Sequence, residues 1–353
     1  MPLSISRRKT ASCTALIGAV VGISTLLSGP AQAHSAAGAH LPKECTGSGP
    51  IVCHFDVPPG DYNVSALLGG RNAGSTSVSA ETRRAMLPET STAAGHLTRR
   101  SFTVNVREPE GEPTGPSGSP GLDLRFEGSA PQLASLNVAP AHHVPKLLLA
   151  GDSTVCDQAA EPYTGWGQEI TQFLGHGISV ANYADSGESS QSFLDNPALF
   201  DTLEARIRKG DLVLIQLAHN DKTTTAADYR RNLTSMAERV RAKGGEPVFV
   251  TPIVRRRFNS DGTLNDVALH VMAANLPVEM RSLAKELDVP LVDLTAMTQK
   301  LVESLGPAGS GDLYLTNING DNTHTSVYGA TTFADLVLED LKAQRLIPAR
   351  VIR

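Results

Sequence analysis

Positive charge is in short supply in this chain: 31 Lys and Arg face 36 Asp and Glu, a formal balance of −5. Nucleic-acid binders carry a basic patch or stripe against the phosphates, so the balance argues against that class. An anionic substrate would need a local basic cluster rather than a global field. Past residue 33 no run reaches the ~20 apolar residues that a membrane-spanning helix needs. Cysteine is scarce, with four residues, and Trp166 is the only tryptophan. His142 and His143 are adjacent but have no third ligand at a metal-binding spacing, so no metal site is read there. No internal repeat is visible.

The start of the chain has the form of an export signal. Arg7, Arg8 and Lys9 precede an apolar run from Ala15 to Leu27, closed by the small-x-small pattern Ala31-Gln32-Ala33. Residues 1–33 are therefore expected to leave, by Sec or by the twin-arginine route that Ser6-Arg7-Arg8 partly resembles. The mature protein would begin at His34, carry a balance of −8 after losing three basic and no acidic residues, and be secreted to the extracellular space. It is expected to be a monomer with no membrane attachment. Cys13 leaves with the signal. Cys45 and Cys53 flank the turn-rich Gly47-Ser48-Gly49-Pro50 and are expected to form a disulfide, which export permits. Cys156 is then odd, and reads as a small buried residue rather than a reactive thiol.

Two rhythms divide the rest. Tyr62–Leu68, Ser75–Ala80, Ser101–Val106 and Leu122–Phe126 place apolar residues at every second position, the period of half-buried strands. Residues 34–140 are thus expected to be an all-β sandwich, with Pro109–Gly121, rich in Pro, Gly and Ser, as a mobile loop. Residues 141–145 read as a linker. From 146 to 353 strands alternate with helices: strands at Lys146–Ala150, Ile178–Tyr183, Leu212–Leu217, Pro247–Ile253 and Pro290–Leu294, helices near Gln168–Leu174, Ala226–Ala242, Val267–Leu287 and Ala330–Ala343. Pro277 is expected to kink or split its helix. Apolar strands alternating with helices imply an α/β domain with a parallel sheet covered on both faces.

Chemistry enters where strands end. The run Leu147–Ala150 stops at Gly151 and delivers Ser153, and ligands of open α/β sheets bind beyond the carboxyl ends of strands. A serine nucleophile needs a base within hydrogen-bond reach and a third group to orient that base. Asp321-Asn-Thr-His324 can supply both, because an aspartate three residues before a histidine can lie beside its Nδ1. Gly187 and Asn220, each just past a strand, are candidate oxyanion donors, of a kind worth ~3 kcal/mol each.

Gly151-Asp152-Ser153-Thr154, Gly187, Asn220-Asp221 and Asp321-x-x-His324, in this order, resemble the SGNH (GDSL-type) hydrolase family over the whole second domain. Thr154, Gly165-Trp166-Gly167-Gln168 and His219-Asn220-Asp221 look most like its rhamnogalacturonan acetylesterase branch; Ala218 stands where the third family block usually begins with glycine. The resemblance implies a flavodoxin-like three-layer fold. It implies Ser153 as nucleophile, His324 as base and acid, Asp321 as its orienting carboxylate, and an oxyanion hole from Ser153, Gly187 and Asn220. It also implies a secreted esterase that deacetylates a plant cell-wall polysaccharide, most like the rhamnogalacturonan of pectin, without cofactor. An acetylxylan esterase, a broad GDSL lipase or esterase, and a non-catalytic carbohydrate-binding protein are the alternatives. The α/β-hydrolase elbow fits less well, since Ser153 is followed by Thr-Val rather than x-Gly. Arg255, Arg256 and Arg257 are candidates to pair with galacturonate carboxylates, with internal salt bridges as the competing role. Trp166 is a candidate to stack on a sugar ring or to pack.

Overall fold

Period-two burial builds the first half of the molecule. Along Gly60–Gly69, Tyr62, Val64, Ala66 and Leu68 are buried while the residues between them are partly exposed, as a strand with one face on a core requires. The computed structural model describes residues 41–353; the export signal read at 1–33 and the start at His34 lie outside the described residues. Eight strands follow: β1 (Cys45–Thr46), β2 (Ile51–Phe55), β3 (Gly60–Gly69), β4 (Gly74–Ala80), β5 (Arg84–Thr92), β6 (Leu97–Val106), β7 (Leu122–Ala130) and β8 (Leu133–Pro140). They form two antiparallel sheets, β1-β2-β7-β4-β5 and β6-β3-β8. Val64, Leu68, Phe102, Leu124 and Phe126 belong to their common core. Cys45 and Cys53 face each other across β1 and β2 and are joined, with Cα atoms 3.9 Å apart.

The second half is a parallel sheet of β9 (Lys146–Gly151), β10 (Ser179–Asn182), β11 (Leu212–Gln216), β12 (Glu246–Val250) and β13 (Leu291–Val292), in the order β10-β9-β11-β12-β13. Counted from the first strand of the sheet, that is the flavodoxin-like order, whose switch point lies between the first and third strands, here β9 and β11. Side chains alternate between two cores. Leu147 and Leu149 of β9 join the cluster with Phe333 and Val337 of the last helix, while Leu148 and Ala150 join that with Leu233 of the helix Ala226–Ala242 and Met280 of the helix Leu276–Glu286. Among the described residues no helix is long and apolar enough to cross a membrane.

Three helical expectations change. Only Leu276–Glu286 of the span Val267–Leu287 is helical, and Pro277 neither kinks nor splits it: Pro277 sits in the first turn, where the Asn275 side chain accepts from the amide of Val278. A first-turn proline gives up an N–H that has no intrahelical acceptor anyway. Gln168–Leu174 is one α-turn, Trp166–Glu169, running into a 3-10 turn, Ile170–Phe173. A helix over Leu294–Gly309, broken at Gly306, had no expectation attached to it.

Within Pro109–Gly121, Glu112 and Thr114 are hydrogen-bonded to the parallel-sheet half. The contact between the halves is polar and buried. Asp157 of the second half lies between Arg84 and Arg107 of the first, at 3.2 and 3.1 Å. Asp61 of β3 meets Lys146 at 3.4 Å and accepts from Ser179 of β10 at 2.7 Å.

Glu169 lines a cleft between the halves with Arg83, Arg125 and Thr331. Burial pushes its carboxyl up to about 7, against hydrogen bonds from Thr331 and Gln172. A raised acid favours the folded state below its unfolded value of about 4.5, and this contribution is lost as pH rises through 7. Glu169→Gln, which mimics the protonated form, should therefore gain on wild type by order 1–3 kcal/mol at pH 8 relative to pH 4. Urea unfolding at the two pH values checks this; an equal gap at both would show that Glu169 ionises freely.

Candidate active site

The loops after β9, β10 and β11 and the strand Asp321–Thr325 meet at the switch point, and each is shaped by local chemistry. After Gly151 the chain turns at once, because the Asp152 carboxylate accepts from the amide and hydroxyl of Thr154, at 3.0 and 2.7 Å. That turn leaves Ser153 partly exposed at the sheet end, its neighbours Asp152 and Thr154 buried. Ser153 Oγ lies 2.9 Å from His324 Nε2. His324 Nδ1 lies 2.7 Å from Asp321 Oδ2, and Asp321 Oδ1 accepts from the amides of Thr323 and His324 at 2.7 and 3.1 Å. Burial works against the Asp321 carboxylate, but these bonds outweigh it and hold the group below the usual carboxylate range. An ionised Asp321 fixes a proton on Nδ1 and leaves the Nε2 lone pair toward the serine. Ser326, not Asp321, caps the following helix.

Gly187 adopts φ +84°, a conformation that side chains with a Cβ rarely take. Asn220 Nδ2 donates to the carbonyl of Glu188 at 3.0 Å, which leaves the second hydrogen of that amide for another acceptor. Asp221 accepts from the amide and hydroxyl of Ser190, so the loop after β11 grips the loop after β10 from below. Among the described residues the amides of Ser153 and Gly187 donate to no acceptor. Ser153, His324 and Asp321 thus come together from segments up to 171 residues apart, while Asn220 meets the residue after Gly187.

Behind the serine runs a buried hydrogen-bonded chain that spacing did not disclose. Trp166 Nε1 donates to Gln216 Oε1 at 2.9 Å, Gln216 Nε2 to Thr154 Oγ1 at 2.8 Å, and Thr154 Oγ1 to Asp152. His219 Nδ1 donates to the other Asp152 oxygen at 3.2 Å. Burial disfavours both charges. For Asp152 the facing His219 and the Thr154 bonds reverse that effect, so the carboxyl lies well below its ordinary range. For His219 burial prevails and pulls the ring below its ordinary value. Trp166 is fully buried in this chain and has no face for a sugar; its expected stacking role is withdrawn. Gly167 explains the neighbouring motif, since a Cβ there would lie 2.4 Å from the carbonyl of Val155 in the serine turn.

The arginine cluster is also corrected. Arg255 is buried, and its terminal nitrogens donate to Thr323 Oγ1 at 2.6 Å and to the carbonyl of His219 at 2.8 Å. Arg256 donates to Ser310 and to Asn322 at 3.1 and 3.0 Å. Both brace the Asp321–His324 segment instead of offering a fork to substrate. Only Arg257 is exposed. Tyr163, not read from the sequence, stands edge-on to the His324 ring with centroids 5.3 Å apart. Gln158 Nε2 donates to the carbonyl of Ser153 at 2.8 Å. Cys156 is free and buried, and burial and Glu112 push its thiol well above the ordinary value.

Residues 149–331 match the GDSL-like lipase/acylhydrolase family. The chain is similar to rhamnogalacturonan acetylesterase RhgT of Bacillus subtilis strain 168, 38% identical over 213 residues, covering 56% of this chain and 89% of RhgT. It is 29% identical over 213 residues to YesY of the same strain, covering 57% of this chain and 93% of YesY. Among solved structures it resembles protein YXIM of Bacillus subtilis, with a TM-score of 0.53 and 24% identity over 84% of this chain and 80% of that one. This last likeness concerns the fold alone, and covers more than the parallel-sheet half could supply.

Proposed function

The chain belongs to the GDSL-like lipase/acylhydrolase family and is a carboxylic ester hydrolase of the SGNH type, and on that premise we propose that it is a serine esterase removing acetyl groups from rhamnogalacturonan. The observation that carries the chemistry is the unbroken relay Asp321–His324–Ser153, with contacts of 2.7 and 2.9 Å, at the switch point of the sheet. Ser153 Oγ attacks the acetyl carbonyl while His324 Nε2 takes its proton. The amides of Ser153 and Gly187 and the free hydrogen of Asn220 receive the oxyanion. His324 then passes the proton to the departing sugar hydroxyl, and water, activated by the same nitrogen, releases acetate from Ser153.

The substrate class rests on the similarity to RhgT; Arg257 is the exposed arginine left to meet a galacturonate carboxylate. The action is placed outside the cell, on the strength of the export pattern at Arg7 to Ala33. Acetate release from acetylated rhamnogalacturonan and acetylated xylan, measured side by side, tests the reading. Release from the pectic polymer at a rate at least about tenfold above xylan is the expected result, since ~1.4 kcal/mol of differential binding suffices for it. Preference for xylan would overturn the substrate and keep the esterase. No release from either polymer or from a simple acetate ester would favour the carbohydrate-binding alternative.

A further inference from the structure

We infer that the β-sandwich completes the active site: Glu112 and Thr114, on the loop between β6 and β7, are positioning residues for the Gly187 oxyanion amide. This rests on the oxyanion role proposed for Gly187. The amide in question belongs to the peptide between Ser186 and Gly187, so whatever fixes Asp185 and Ser186 sets its aim. Both are held from the sandwich. The Asp185 carboxylate accepts from the amide of Thr114 at 3.0 Å and from its hydroxyl at 2.6 Å. The hydroxyl of Ser186 donates to the carboxylate of Glu112, which also accepts from Cys156 Sγ at 2.7 Å.

On its other sides the loop is tied within the parallel-sheet half. The amide of Asp185 donates to the carbonyl of Gly151 at 3.1 Å, and Asn220 holds the carbonyl of Glu188. These bonds fix the residues before and after, and Ser186 Oγ also lies 3.5 Å from Gln158 Nε2 and from Cys156 Sγ, but Ser186 and Gly187 are themselves exposed. Gly187, at φ +84° with nothing within 4 Å of a built Cβ, has no packing to steady it. Glu112 and Thr114 supply that restraint from more than 70 residues upstream. Their own loop is anchored in turn: Arg107, at its base, donates to the carbonyl of Gly111 at 2.7 Å and to Asp157.

The test uses the full chain with p-nitrophenyl acetate, so it does not depend on the polysaccharide. Thr114→Val and Glu112→Ala are expected to lower kcat about 10- to 100-fold, a part of what losing a whole oxyanion donor costs, with KM within about twofold. Thr114→Ser and Glu112→Gln, which keep an acceptor or donor in place, should restore most of the rate. Binding of an alkylboronic acid, whose tetrahedral adduct occupies the oxyanion site, should weaken in step with kcat/KM, while the melting temperature stays near wild type. A kcat within twofold of wild type in both Thr114→Val and Glu112→Ala would overturn the inference, as would a loss that follows the melting temperature and is not rescued. Activity surviving in Ser153→Ala would overturn the reading of the site beneath it, which separates that failure from this one.

Discussion

Ser153→Ala is expected to abolish acetyl-ester hydrolysis to within the residual rate that binding and an oxyanion hole provide, a fall in kcat of about 10⁴-fold or more. The serine is the only hydroxyl in contact with His324 Nε2 among the described residues, so no neighbour can take over. The alanine variant should fold as wild type does, because Ser153 is partly exposed and its partner His324 is itself only half-buried. His324→Ala should fall as far, and the double variant no further, since nucleophile and base act as one unit. Asp321→Asn isolates the third member. It keeps the shape but replaces an acceptor-only carboxylate by an amide that can turn an N–H toward Nδ1 and so favour the wrong tautomer; about 10³- to 10⁴-fold in kcat is expected. Stopped assays of acetate release with the three single variants and the double, alongside their melting curves, decide the matter. A folded Ser153→Ala variant that still turns over would remove the serine from the mechanism.

Asp157→Ala is expected to destabilise the fold by about 3–5 kcal/mol, the usual consequence of removing one partner from a buried ion pair. The side chains of Asp157, Arg84 and Arg107 are almost wholly inaccessible, at 0%, 1% and 7%. The single Asp157 carboxylate faces two guanidinium groups and also accepts from Asn182 at 2.8 Å. The geometry is not ideal: Arg84 Nε is 3.2 Å from the carboxylate yet misaligned for a hydrogen bond, so the attraction there is largely that of charge. Burial already pulls Arg84 below its ordinary value. Without the anion, two buried cations would confront each other between the halves of the molecule. Arg84→Met with Arg107→Leu in the Asp157→Ala background should recover much of the loss, because a buried ionic cluster replaced throughout by apolar groups is often neutral or better. Urea unfolding followed through the Trp166 fluorescence gives both numbers. A loss below about 1 kcal/mol in the single variant would mean that water reaches these arginines and that they are not the clamp between the halves.

Both results bear on how far residue order alone could lead. Ser153, Asp321 and His324, which the fold brings within hydrogen-bond reach of one another, stood out because each lies at a strand end or turn, where the local pattern also dictates the backbone. The strands β9 to β13 were legible because burial on both faces writes itself as unbroken apolar runs. In the sandwich, β3, β4, β6 and β7 showed their alternation, but β5 did not, since its Met86 and Leu87 are both buried and Pro88 interrupts the pattern. That proline is tolerated because β5 is the edge of its sheet, a fact of pairing and not of order. Trp166 and Arg255 misled for one reason: aromatic and guanidinium side chains serve a substrate or a core equally well, and only their neighbours tell which. Gln216, 50 residues from Trp166, and Thr323, 68 residues from Arg255, are those neighbours.

Composition, period and the order of a few polar residues by themselves determined the α/β class, the sandwich before it and the members of the relay, since these follow from interactions within a strand, a turn or a single loop. The distances that make the relay a site, the inward turn of Arg255 and Trp166, and the grip of Glu112 and Thr114 on Asp185 and Ser186 were decided by tertiary structure alone. Each depends on which surfaces meet when the sandwich packs against the parallel sheet, and burying a charge or hydroxyl there is favourable only when its partner, far away along the chain, arrives at the same place.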